Sequence, residues 1–134
     1  MGMRTRPVNK YLYKNCLKKA EEFMESAKGA FLKSHWNSAV TNAVHSAISS
    51  SDALLVFFKE LRSAGESHDE ILILLSGLDI DKEELKKKTQ QFQRLAQIKN
   101  SAEYEEKLMS QQDAENSLRD AERFLEWVKG KLPP

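Results

Sequence analysis

Between Trp36 and Arg62 the chain repeats small and apolar residues every three or four positions: Trp36, Ala39-Val40, Ala43-Val44, Ala47-Ile48, Ser51, Leu54-Leu55, Phe58 and Leu61. A strand would alternate every second residue. This spacing instead specifies a helix of about seven turns with one broad buried face. Such a helix cannot shield that face alone and requires other helices around it. Ala and Ser dominate its first half, so neighbours can approach closely there. Leu and Phe in its second half are expected to fill the widest part of the core. The triplet Ser49-Ser50-Ser51 falls inside the period and reads as helix, not as linker.

The other segments supply the neighbours. A first helix is expected from near Pro7, a residue suited to a first turn, to about Lys33. Its stripe is Leu12, Cys16, Ala20, Phe23, Ala27 and Ala30-Phe31. Gly65 breaks the central helix. Ser67, with Glu70 three residues on, forms a capping box for a short helix that buries Ile71-Leu72 and Leu74-Leu75 and ends at Gly77. Asp79 or Asp81 caps a fourth helix running through Leu85, Thr89, Phe92 and Leu95-Ala96 to Tyr104. After a break near Met109-Ser110, the last helix carries Ala114, Leu118, Ala121, Phe124-Leu125 and Val128, and stops at Gly130 before Pro133-Pro134. No stretch alternates convincingly with period two. The expected fold is all-α: an antiparallel, up-and-down bundle of four long helices plus one short helix. It occupies residues 10–132 as a single domain, behind a flexible N-terminus over residues 1–9.

Composition narrows the function. At 134 residues the chain can bury one core. A net charge of +1 provides no global field for nucleic acid or membrane, so any such binding needs a local patch. The lone Cys16 cannot form an internal disulfide, which fits a reducing compartment. The N-terminus lacks the apolar run of a signal peptide, and no segment reaches the roughly 20 apolar residues of a membrane span. A cytoplasmic protein without membrane contact is expected. His35, His45, His68 and Cys16 have no ligand-like spacing, so neither metal nor other cofactor is expected.

Lys99-Asn100-Ser101-Ala102-Glu103-Tyr104 sets a cation and an amide side by side, with a phenol returning to their helical face four and five residues on. Three segments resemble the HEPN domain family: Trp36-Asn37-Ser38-Ala39-Val40 with Asp52-Ala53-Leu54-Leu55; His68-Asp69-Glu70-Ile71; and Lys99-Asn100, Glu103-Tyr104, Asp113-Ala114 and Ala121-Glu122-Arg123-Phe124-Leu125. The resemblance spans Tyr11 to Leu132. It implies a helical bundle, frequent homodimers with motif segments close together, a nucleotidyltransferase neighbour or partner, and toxin–antitoxin or defence settings. Members that cleave RNA carry Arg-Asn, three residues, then His. Here Lys99, Asn100 and Tyr104 stand at those positions, and only the asparagine is kept. Members with a Tyr-Tyr pair in the second helix would have it at Val44 and His45.

Cleaving RNA without a metal needs a base for the 2′-hydroxyl and a cation on the phosphate. Imidazole, with a pKa of about 6.5, suits the base role; phenol, with a pKa of about 10, does not. Lys99 can hold a phosphate as a point charge but not in an arginine's fork. Lys99, Asn100 and Tyr104 are therefore candidates for ligand binding, to RNA or a nucleotide, with cutting impaired. Arg62 and His68 fit a loose Arg-spacer-His pattern, and His45 lies beside the central stripe; these three are the catalytic candidates. Each also has a structural reading: Arg62 as a cation at a helix C-terminus, His68 in a first turn, His45 half-buried. Lys86-Lys87-Lys88 and Arg94, with Lys99, form the densest basic run, although Glu83-Glu84 four residues ahead also suit a solvated face. Three functions stay open: a HEPN-like interaction module with a degenerate ribonuclease motif, an active metal-independent ribonuclease, and a plain helical adaptor.

Overall fold

The computed structural model describes residues 4–64 and 68–134. It is an all-α bundle: α1 (Tyr13–Leu32), α2 (Trp36–Lys59), α3 (His68–Ser76), α4 (Lys82–Tyr104) and α5 (Gln111–Lys131). A single 3-10 turn, Lys10–Leu12, precedes α1. The helix α2 is the axis of the bundle. It packs on α1, α4 and α5, and most of its residues from Ala39 to Val56 are buried. The serines inside it are satisfied locally: Ser50 and Ser51 donate to the carbonyls of Ser46 and Ala47, at 2.8 and 3.1 Å. Ser46 donates across to the Ala20 carbonyl at 2.8 Å, an approach that fully buried Ala20 permits. Phe92, Phe124, Leu54, Leu55 and Leu95 fill the core.

Several boundaries differ from the sequence expectation. The first helix begins at Tyr13, not near Pro7, because Thr5–Pro7 form a strand, β1, antiparallel to β2 (Leu61–Ser63). The register sets Thr5 opposite Ser63, Arg6 opposite Arg62 and Pro7 opposite Leu61. Part of the N-terminal arm is thus paired to the segment after α2. The 3-10 turn also shifts the phase of the first stripe: Leu12 is exposed, while Tyr13 and Met24 are buried. Tyr13 meets Phe57 edge-on at 5.1 Å, and Phe58 faces outward. The central helix stops at Lys59 with Glu60 left-handed at φ 53°, so Arg62 belongs to β2. The expected break at Gly65 and cap at Ser67 lie outside the described residues; Glu70 accepts a hydrogen bond from Ser63 Oγ at 3.2 Å.

The last two helices start as their sequences require. Asp81 Oδ2 accepts from the Glu84 amide at 3.0 Å, and Ser110 with Asp113 forms a reciprocal capping box. Arg94 forks onto Asp120, joining α4 to α5. Glu84 takes both the Trp127 indole N–H and the Lys131 ammonium at 2.6 Å, which ties the end of α5 to the start of α4.

Candidate functional site

On α4, Gln93, Gln97, Asn100 and Tyr104 recur at steps of three and four and share one exposed face. The N-terminal turn of α3 brings His68 and Asp69 against that face. Together with Leu72, Ala96 and Lys99 they line a pocket of about 220 Å³. The three residues singled out as ligand candidates, Lys99, Asn100 and Tyr104, therefore meet in one cavity with His68. Tyr104 is 78% exposed, so its ring forms a rim and not a floor.

Lys99 is the electrostatic hub. Its Nζ holds Glu103 Oε2 at 2.8 Å, one turn along the helix, and its side chain is only 12% exposed. Burial lowers the His68 pKa, and the Lys99 charge lowers it further, while Glu103 acts in the opposite sense. His45, on α2, responds to the same groups in the same order: burial, then Lys99, against Glu103. The His45 charge also depresses His68. Two imidazoles from different helices thus feel the charge of one ammonium, both biased to the neutral form. Sequence spacing offered no sign of this convergence; Glu103 alone could have been anticipated, as an i,i+4 partner of Lys99.

Arg62 is not part of this pocket. It faces Asp52 at 3.7 Å in a separate groove between α1 and α2. The Arg62–His68 pair suggested by spacing is therefore split between two cavities, because successive β2 residues point to opposite faces: Ser63 meets Glu70 of α3, and Arg62 lines the other groove. His45 lies between them: its ring stacks on Phe23, which lines the α1–α2 groove, at 5.3 Å and 30°. The basic run does not form one strip. Arg94 turns to Asp120 on α5, Lys88 donates to Gln91 and Lys99 turns to the pocket.

Among the described residues no group of three or more His, Cys, Asp or Glu could hold a metal ion. No described helix is long and apolar enough to cross a membrane. What the described lining of the pocket can offer is the Lys99 ammonium, the His68 imidazole biased to its neutral form and several amide groups, a set suited to a phosphate and its neighbouring hydroxyls.

No curated protein matches the chain. The family model described as HEPN domain matches residues 13–131, nearly the whole of the bundle, and the chain belongs to that family.

Proposed function

We propose that this HEPN domain is a phosphate-recognising interaction module, for RNA or a nucleotide, in which the ribonuclease motif has lost its cutting power. The observation that carries the reading is that Lys99, which lines the motif pocket, is held in an ion pair with Glu103 at 2.8 Å. Among the described residues Lys99 is the one ammonium lining that pocket, and Glu103 already pairs with it, while Tyr104 stands where a cutting member would supply an imidazole. A weakened cation and a phenol leave binding chemistry but little means of transferring the 2′-hydroxyl proton. The family resemblance adds a homodimer with apposed motif segments, a nucleotidyltransferase partner and a toxin–antitoxin or defence setting to the proposal.

The test is cleavage of labelled single-stranded RNA in excess EDTA by the wild type and by Lys99→Arg/Tyr104→His. Retained binding without cleavage in the wild type, with cleavage gained by the double variant, is expected. Cleavage by the wild type would overturn the reading.

One observation favours a ribonuclease instead. His68 and His45 are both held towards the neutral form beside Lys99, as a base near a phosphate-binding cation must be. On that reading the wild type cuts, and His68→Ala or His45→Ala abolishes it. Sedimentation tests the homodimer: a 15.4 kDa species persisting at high concentration counts against it.

A further inference from the structure

We propose that Arg6, Arg62 and Lys19 form a second anion site, at the β1–β2 end of the groove between α1 and α2, and that its ligand is a phosphate group. This site is separate from the motif pocket and does not depend on what that pocket binds.

The two-stranded ribbon sets Arg6 directly opposite Arg62. Register partners leave the same face of a ribbon with their Cβ atoms about 5 Å apart, where like charges repel. Three residues of pairing have little stability to spare for such repulsion. An anion between the two guanidinium groups converts it into attraction, and guanidinium is the side chain best shaped to fork onto phosphate oxygens.

The protein's own carboxylates only partly answer this charge. Asp52 approaches Arg62 at 3.7 Å, beyond hydrogen-bond length, and the buried Arg62 Nε has no hydrogen-bond partner among the described residues. Among the described residues neither Arg6 nor Lys19 has an ion-pair partner. Lys19 and Arg62 line the groove together with Asp52, and the ribbon register sets Arg6 beside Arg62 at its end; all three cations act on the Asp52 carboxyl. Glu22 also lines the groove. Three cations against Glu22 and ionised Asp52 leave one positive charge in excess.

The groove has room. It measures about 520 Å³, and Ser26, Asn42 and Ser49 add neutral hydrogen-bonding groups along it. Phe23 offers an apolar surface to whatever carries the phosphate. Asp52 then acts as an internal counter-ion that holds Arg62 until a phosphate displaces it.

The experiment follows the amide resonances of Ile48 and Ser49 while the full chain is titrated with inorganic phosphate and, separately, with single-stranded RNA. Arg6→Gln/Lys19→Gln removes two exposed cations and leaves the Arg62–Asp52 contact intact, with helical content and melting monitored alongside. Saturable shifts that weaken about tenfold in the double variant are expected. Arg6→Lys/Lys19→Arg, which keeps both charges, should retain binding within about threefold. Shifts with inorganic phosphate identify a free phosphate group as sufficient; shifts with RNA alone identify a strand backbone as its source. Groove resonances that move with neither probe, or that move equally in the double variant, overturn the proposal.

Discussion

Lys99 Nζ, which lines the motif pocket, meets Glu103 Oε2 at 2.8 Å, the lysine side chain 12% and the glutamate side chain 26% exposed. An incoming phosphate must compete with this carboxylate for the same ammonium. Glu103→Gln removes the competitor and is expected to strengthen phosphate or RNA binding at this pocket about tenfold, read by titration at low salt. The two histidines supply an independent readout. Glu103 raises both imidazole pKa values and Lys99 lowers them. Their NMR titration midpoints should therefore move further down in Glu103→Gln and up towards about 6.5 in Lys99→Gln. Midpoints that stay fixed in both variants would show that these charges do not reach the imidazoles.

Asp52 gives the fold a pH dependence of definite sign. Burial, only partly offset by Arg62, raises its carboxyl from 3.8 to about 6. The folded state thus binds a proton that the unfolded state has released over roughly pH 4–6, so this group's contribution falls as pH rises through that window. The full cost is in place above pH 6 and amounts to roughly 3 kcal/mol at about 1.36 per pKa unit. Asp52→Asn keeps the shape without the charge. Arg62 is 35% exposed and can turn to water. The variant should be more stable than wild type by about 2 kcal/mol at pH 7 in urea unfolding, with the difference disappearing near pH 4. Equal stability at both pH values would show that Arg62 fully compensates the burial.

The helical period made α2 legible because its neighbours cover it on three sides and no local signal opposes that pattern. The start of α4 was legible as a choice between Asp79 and Asp81, which Asp81 fills, and the start of α5 only as a break near Met109-Ser110, where Ser110 is the cap. The β1–β2 pairing was not. Three residues are too few to show alternation, and the partners lie more than fifty positions apart. That pairing, with the 3-10 turn behind it, is what moved the start of α1 and turned Leu12 outward. At the site, Asn100 and Tyr104 share a face by spacing alone. The approach of His68 and His45 to Lys99 is set by how α2, α3 and α4 pack, and chain spacing carries no such information.

Ala20 and Ser46 define how closely α1 and α2 can approach. Both are fully buried, and the Ser46 hydroxyl reaches the Ala20 carbonyl at 2.8 Å. Ser46→Ala removes one hydrogen bond and strands no acceptor, because Ala20's carbonyl keeps its place in the α1 ladder; a loss of about 1 kcal/mol is expected. Ala20→Leu instead forces the helices apart and should cost about 3 kcal/mol by overpacking. Denaturant unfolding would separate the two. Comparable losses would mean that the hydroxyl, not the close approach, holds this pair of helices.

Arg94 and Asp120 lie on the seam between α4, which carries the motif pocket, and α5. The guanidinium forks through Nε and Nη2 onto the two carboxylate oxygens at 3.3 and 3.2 Å, with Asp120 only 10% exposed and Arg94 59% exposed. The exposed arginine limits what the pair contributes, but Asp120 has little water to fall back on. Removing the arginine therefore costs more than the pair itself is worth. Arg94→Ala should destabilise by about 2 kcal/mol, and Arg94→Lys, which keeps the charge but cannot fork, by about 1. Asp120→Asn in the Arg94→Ala background should recover most of the loss, because the stranded charge is then gone. A thermodynamic cycle over the four proteins measures this directly. Purely additive losses would show that Asp120 is already satisfied without Arg94, and that the α4–α5 seam rests on Phe92 and Phe124, whose rings meet at 5.7 Å beneath it.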